Sequence, residues 1–184
     1  MPVIVAISGS LRSASFNSAL LRTASQLMPA GSSLEILDIR DVPLYDGDVE
    51  ARDGVPAAVQ QLKDRIAAAD GLLIATPEYN NSIPGVLKNA IDWMSRPPAD
   101  IGRVFGNRAV AVIGASTGGF GTVLAQTAWL PVLRALGTRP WCGPKLLVSG
   151  AGNVFNEAGE MVDDKVRAQL QKFMQGFVTF CERS

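Results

Sequence analysis

Val3-Ile4-Val5-Ala6-Ile7-Ser8-Gly9-Ser10-Leu11-Arg12-Ser13-Ala14-Ser15-Phe16-Asn17 decides how this chain folds. The unbroken apolar run Val3 to Ile7 predicts a strand buried on both faces. A short loop of Gly, hydroxyls and one Arg follows. Helical spacing then begins, with Leu20, Leu21, Ala24, Leu27 and Met28 on one face of a helix over 17–28. A strand that feeds such a loop and then a helix N-terminus builds an anion site. Hydroxyls and free N–H groups donate to the anion, and the helix dipole favours its charge. Arg12 adds a permanent positive charge in a fork that suits phosphate. The loop is neither Gly-x-x-x-x-Gly-Lys-Ser/Thr nor Gly-x-Gly-x-x-Gly. Asp38 only approximates the acidic residue expected about 20 positions further on in a dinucleotide site. A terminal phosphate monoester suits the loop better than a buried pyrophosphate. The bland alternative is an ordinary strand-to-helix turn capped by Ser.

Outward from this stretch, apolar runs alternate with helical periods. Further strands are expected at 34–39, 71–75, 110–114 and within 138–149, the last with an irregularity at Gly143-Pro144. Helices are expected from Pro56, from Pro84 to Met94, over 121–136 and over 163–183, with a long polar loop over 40–55. Five apolar strands alternating with five helices predict an α/β fold with a parallel sheet covered on both faces. Length and strand count favour one flavodoxin-like three-layer domain over 1–184, with five parallel strands in the order 2-1-3-4-5. Ligands of such sheets sit beyond the carboxyl ends of the strands, where the order reverses.

Composition narrows the chemistry. Lys and Arg together number 17, as do Asp and Glu, so the net charge of zero disfavours nucleic acid and anionic membranes as main partners. No secretory pattern opens the sequence and no apolar run approaches the ~18 residues of a membrane span. Cys142 and Cys181 match no metal spacing and read as reduced and buried, which fits a cytoplasmic protein. With no histidine at all, Ser-His-Asp hydrolysis, His acid/base chemistry and most zinc sites fall away. A bound cofactor that carries the chemistry is the commonest escape. Asp46, Asp48, Glu50 and Asp53 lack calcium-loop spacing and read as a solvated surface.

The loops after strands one, three and four should carry the chemistry. The first is the anion loop. The second, Thr76 to Gly85, sets an aromatic, a carboxylate and two amides between prolines, and suits a planar ring. The third, Ala115-Ser116-Thr117-Gly118-Gly119-Phe120-Gly121, has few side chains, so its N–H groups can approach a flat ligand edge. Gly150-Ala151-Gly152 lacks the third Gly of a dinucleotide fingerprint and reads as a turn. Trp93, Trp129 and Trp141 read as core or subunit-interface residues rather than ligand platforms.

Gly9-Ser10-Leu11-Arg12-x-x-Ser15-x-Asn17 and Pro77-Glu78-Tyr79-Asn80-x-Ser82-x-Pro84-Gly85-x-Leu87-Lys88-Asn89-Ala90-Ile91-Asp92-Trp93 resemble the NAD(P)H-dependent FMN reductase family. That family includes bacterial quinone, chromate and azo-dye reductases. The similarity extends to residues 116–121 and to Gly152-Asn153-x-Phe155. It implies FMN as bound cofactor, NADPH or NADH as co-substrate, a small electrophilic acceptor, and a homodimer or homotetramer with the flavin near a subunit interface. Carried across, Ser10, Arg12, Ser15 and Asn17 would bind the phosphate. Pro77, Glu78, Tyr79 and Asn80 would hold the flavin ring, and Ser116, Thr117, Gly118 and Gly119 its pyrimidine side. No catalytic base is needed for hydride transfer to the ring, and Glu78 is the one candidate carboxylate. Ile91, Trp93 and Met94 are expected to need cover from a second subunit. The alternative readings are a flavodoxin-like electron carrier and an NAD(P)-binding regulatory domain without flavin.

Overall fold

The computed structural model describes residues 1–182. Its central parallel sheet contains β1 (Val3–Ser8), β2 (Ser33–Leu37), β3 (Gly71–Ala75), β4 (Ala109–Ala115), β5 (Arg139–Pro140) and β6 (Leu147–Val148). The order is β2-β1-β3-β4-β5, with β6 pairing further along β4. The expected topology is therefore present, and the fifth strand is split in two around Gly143-Pro144. Registers run from Ile4↔Leu34 and Ile4↔Gly71 through Gly71↔Ala109 to Ala109↔Arg139.

Alternation along the strands sends side chains into two cores. Ile4 and Ala6 of β1 face α1 (Phe16–Gln26) and α8 (Asp164–Glu182), packing with Leu20, Leu21, Phe173 and Phe177. Val5 and Ile7 face α3 (Ala57–Ala68), α4 (Gly85–Met94) and α6 (Val123–Ala135), packing with Ile66, Leu87 and Trp129. Helices on both faces explain why β1 and β3 need apolar residues at successive positions. Arg183, placed in the last helix by its spacing, lies outside the described residues.

Three short helices were not expected. α2 (Gly47–Asp53) buries none of its residues and stands on its cap, where the Asp46 side chain accepts from Asp48 N at 2.8 Å. α5 (Ile101–Val104) and α7 (Ala151–Val154) each have four residues. The polar segment is thus partly ordered. Glu50 pairs with Arg96 at 2.8 Å and accepts from Tyr45 Oη at 2.9 Å, while Asp48 and Asp53 are solvated. The Arg96 guanidinium holds the Glu50 carboxyl below the usual carboxylate range. Pro84 is the N-cap of α4 rather than its first residue.

Two expectations are corrected. Ile91, Trp93 and Met94 are covered within the chain, because α4 packs against the sheet on one side and the 43–45 strap on another. Trp93 Nε1 donates to Pro43 O at 2.9 Å, and the Tyr45 ring meets the Trp93 ring edge-on at 5.0 Å. Cys142 is exposed, not buried. Cys181 is buried against β3, and burial pushes its thiol up to about 12. Trp129 is buried in the core, and Trp141 packs edge-on to Phe173. No helix of the described residues is long and apolar enough to cross a membrane.

Candidate functional site

β1 ends where the order of the sheet reverses, and its exit loop is gripped from both sides. Gly9 N donates to Ala75 O at 2.8 Å. A Cβ on Gly9 would lie 2.8 Å from both Leu87 Cδ2 and Pro77 Cδ, so only glycine lets the first and second loops close together. Ser15 caps α1, its side chain accepting from Ser18 N at 3.2 Å. Among the described residues nothing accepts from the N–H groups of Phe16 and Asn17, which remain open at the helix start. Arg12 is exposed and, among the described residues, has no carboxylate partner. Leu11 O accepts from Arg40 Nη2 at 2.9 Å, which fixes the loop from the exit of β2. Ser10 is buried, and Tyr79 Oη approaches its Oγ at 3.5 Å.

Asn17 is buried and turned towards the sheet. Its Nδ2 donates to Ala115 O and its Oδ1 accepts from Ala115 N, both at 2.9 Å. Its amide therefore clamps the start of α1 to the end of β4, so only the backbone N–H of Asn17, not its side chain, stays open at the helix start.

The second loop is held just as firmly. Thr76 N donates to Ile113 O at 2.8 Å, and Trp129 Nε1 donates to Thr76 Oγ1 at 3.1 Å. One oxygen of Glu78 accepts from Leu124 N at 2.8 Å and Ala125 N at 3.0 Å, the first turn of α6. Tyr79 and Ser82 exchange backbone bonds of 3.2 and 3.1 Å around Asn80 and Asn81, whose φ values are 50° and 60°. Two successive positive φ values make a tight hairpin turn of the kind asparagine tolerates. Pro77 is buried, while Tyr79 and Asn80 stand in solvent at the rim.

In the third loop, Ser116 Oγ donates to Gly121 O at 2.6 Å and Ser116 N to Val148 O at 2.9 Å. Thr117, Gly118 and Gly119 are exposed, and a Cβ on Gly119 would meet nothing within 4 Å. Among the described residues nothing accepts from the N–H groups of Thr117, Gly118 and Gly119, which stand clear for a flat ligand edge, so the residues fit a planar group with a phosphate tail. The geometry adds two elements that composition left out. Gly150 N donates to Gly118 O at 3.2 Å and Ala151 N to Ser116 O at 3.0 Å, so the segment read as a turn buttresses the third loop. Behind it, Phe155 stacks on Phe16 with ring centroids 5.8 Å apart. The signal for this was Gly152-Asn153-x-Phe155, whose partner could not be read from spacing. Gly114 of β4 is the other: a Cβ there would lie 2.0 Å from Thr122 Oγ1 and 2.3 Å from Thr76 O. Among the described residues no cluster of His, Cys, Asp and Glu could hold a metal ion.

Four matches to known proteins bear on the family of this chain. The family model described as NADPH-dependent FMN reductase matches residues 2–152. The chain is 46% identical over 180 residues to an NAD(P)H-dependent FMN reductase of Pseudomonas aeruginosa, covering 98% of this chain and 95% of that one. It is 36% identical over 182 residues to a quinone reductase of Escherichia coli, covering 98% and 95%. Among solved structures, a flavoenzyme NAD(P)H:(acceptor) oxidoreductase of Paracoccus denitrificans superposes with a TM-score of 0.88 at 34% identity, covering 100% of this chain and 98% of that one.

Proposed function

The chain belongs to the NADPH-dependent FMN reductase family, and from that premise we propose that it is a single-domain, FMN-dependent oxidoreductase that takes hydride from NADPH or NADH and reduces quinones and other electrophilic acceptors, chromate, azo compounds and free flavin among them. What carries this reading is the convergence of three loops, each tethered to the next, at the reversal point of the sheet. When bound, FMN supplies the redox chemistry. Arg12, the hydroxyls of Ser10 and Ser15 and the open N–H groups at the start of α1 receive its phosphate. Asn17 acts on that site by locking α1 to β4. Pro77, Glu78, Tyr79 and Asn80 border one face of the ring, and Thr117, Gly118 and Gly119 offer N–H groups to its pyrimidine side, with Ser116 anchoring that loop to Val148 and Gly121. These residues orient the ring and leave one face open, and no side chain is asked to move a proton in the first half-reaction.

One open face has a kinetic consequence. Donor and acceptor must use it in turn, so turnover should be ping-pong. The purified protein should be yellow and should oxidise NADPH or NADH with a small quinone. Double-reciprocal plots at several fixed acceptor concentrations should be parallel. Intersecting lines would show two simultaneous sites and remove the one-face model. A colourless protein whose addition fails to quench FMN fluorescence would remove the flavin reading itself. Flavin binding without nicotinamide turnover would instead favour an electron carrier.

The same reading makes the molecule a homodimer or homotetramer. Tyr79, Val86 and Phe120 are exposed apolar side chains on or next to the site loops, Phe120 by 84%. Light scattering at micromolar concentration should return a multiple of 19.5 kDa. A monomer with full activity would exclude that assembly.

A further inference from the structure

α6 starts at Val123, directly after the 116–121 loop. A helix N-terminus carries about half a positive elementary charge, spread over N–H groups without intrahelical acceptors. The local sequence leaves this end untreated: Thr122 makes no side-chain capping bond, and the first turn holds no acidic residue. Glu78, 46 positions earlier in the chain, takes both tasks, accepting from the N–H groups of Leu124 and Ala125 with one oxygen.

The charge of Glu78 exceeds what the geometry requires. The same loop is already fixed to α6 by the Trp129–Thr76 bond, to β4 by Thr76 N–Ile113 O, and to the first loop by the packing of Pro77 on Gly9. A neutral carboxamide oxygen at position 78 could accept from the same N–H groups. What a carboxylate adds is a negative charge at the positive end of α6, the helix that directly follows the 116–121 loop.

We propose that Glu78 tunes the electronics of the flavin site by cancelling the positive end of α6, so that its surroundings favour the reduced, more negatively charged cofactor less strongly. This rests on the reading that the flavin lies between residues 77–80 and 116–119. Glu78 then acts as a positioning and tuning residue, not as an acid or base. It keeps the reduced flavin a stronger reductant, as an enzyme of loose acceptor choice requires.

The test is the equilibrium reduction potential of the FMN-loaded protein, measured against a reference dye. Glu78→Gln keeps an acceptor oxygen and removes the charge. Parent and variant are compared at saturating FMN, followed by fluorescence quenching, so that a change in affinity for the oxidised form does not enter. The balance should move towards the reduced form by about three- to tenfold, a rise of roughly 15–30 mV for a two-electron couple. An unchanged potential in the FMN-saturated variant would overturn the proposal. Leu124→Lys provides a second arm, because Leu124 is half exposed and its side chain takes no part in the Glu78 bonds. A positive charge there should raise the potential in the same direction even if Glu78→Gln does not fold, and no shift in that variant would overturn the proposal as well. Failure of the underlying flavin reading is distinguishable, because it shows first as absence of FMN quenching in the parent protein.

Discussion

Gly114→Ala should lower the stability of the apoprotein by about 3 kcal/mol, the upper end of ordinary overpacking costs. For a domain of this size that is a fall in Tm of roughly 6–12 °C, at about 2–4 °C per kcal/mol. The added methyl has no room to relax. At 2.0 Å it meets Thr122 Oγ1, and Thr122 is fully buried at the entry to α6. At 2.3 Å it meets the carbonyl oxygen of Thr76, whose N–H is already bonded to Ile113 O. Relief requires the second and third loops to part, so FMN affinity should fall with stability. Gly102→Ala is the control. It lies in helical backbone with nothing within 4 Å of an added Cβ, and should leave Tm unchanged or slightly higher. Thermal unfolding followed by circular dichroism decides it. If Gly114→Ala melts within about 2 °C of the parent protein, a shift of about 0.5–1 kcal/mol at most, the close approach does not matter.

Arg12→Ala should cost roughly ten- to hundredfold in FMN affinity and leave riboflavin binding almost unchanged. A hydrogen bond to a charged group contributes about 1.5–3 kcal/mol, and each 1.4 kcal/mol is about tenfold. The structure adds a reason for selectivity. Arg12 is exposed and, among the described residues, no carboxylate engages it, so its removal breaks no internal pair. Its backbone is held by neighbours, through Arg40 on Leu11 O and Ser15 N on Arg12 O. The apoprotein should therefore melt at the same temperature as its parent. Titration with both flavins is the measurement, and equal losses for the two would assign Arg12 to the fold or the ring.

The sheet was legible because burial on both faces leaves an unmistakable trace: Val3 to Ile7 and Leu72 to Ala75 admit no polar residue. α2 was not legible because nothing in it is buried, so no apolar period could appear, and its only signal was Asp46 as cap. Residue type located the three loops, since small and hydroxylated residues at strand ends have few other uses. Type did not reveal direction. The amide of Asn17 and the carboxylate of Glu78 suit a ligand equally well, yet both bind backbone, at Ala115 and at the start of α6. Such bonds join residues 98 and 46 positions apart, and no local pattern encodes a partner at that distance. The apolar residues at the end of α4 misled for a related reason. A single stripe was assumed to face the chain, whereas the 43–45 strap supplies a second covered face.

The divided fifth strand also blunts one of the two edges of the sheet. A parallel sheet with a long, flat free edge is a template on which another chain can extend the ladder, the first step towards insoluble aggregates. Here the outermost positions beside β4 are two strands of two residues each, and one of the four residues, Pro140, has no N–H to offer. Residues 141–146, with Gly143-Pro144 at their centre, join them without strand structure. The interruption thus leaves little ladder at this border for another chain to extend. A replacement of 141–146 by strand-forming residues would restore a continuous ladder and, with it, a sticky edge.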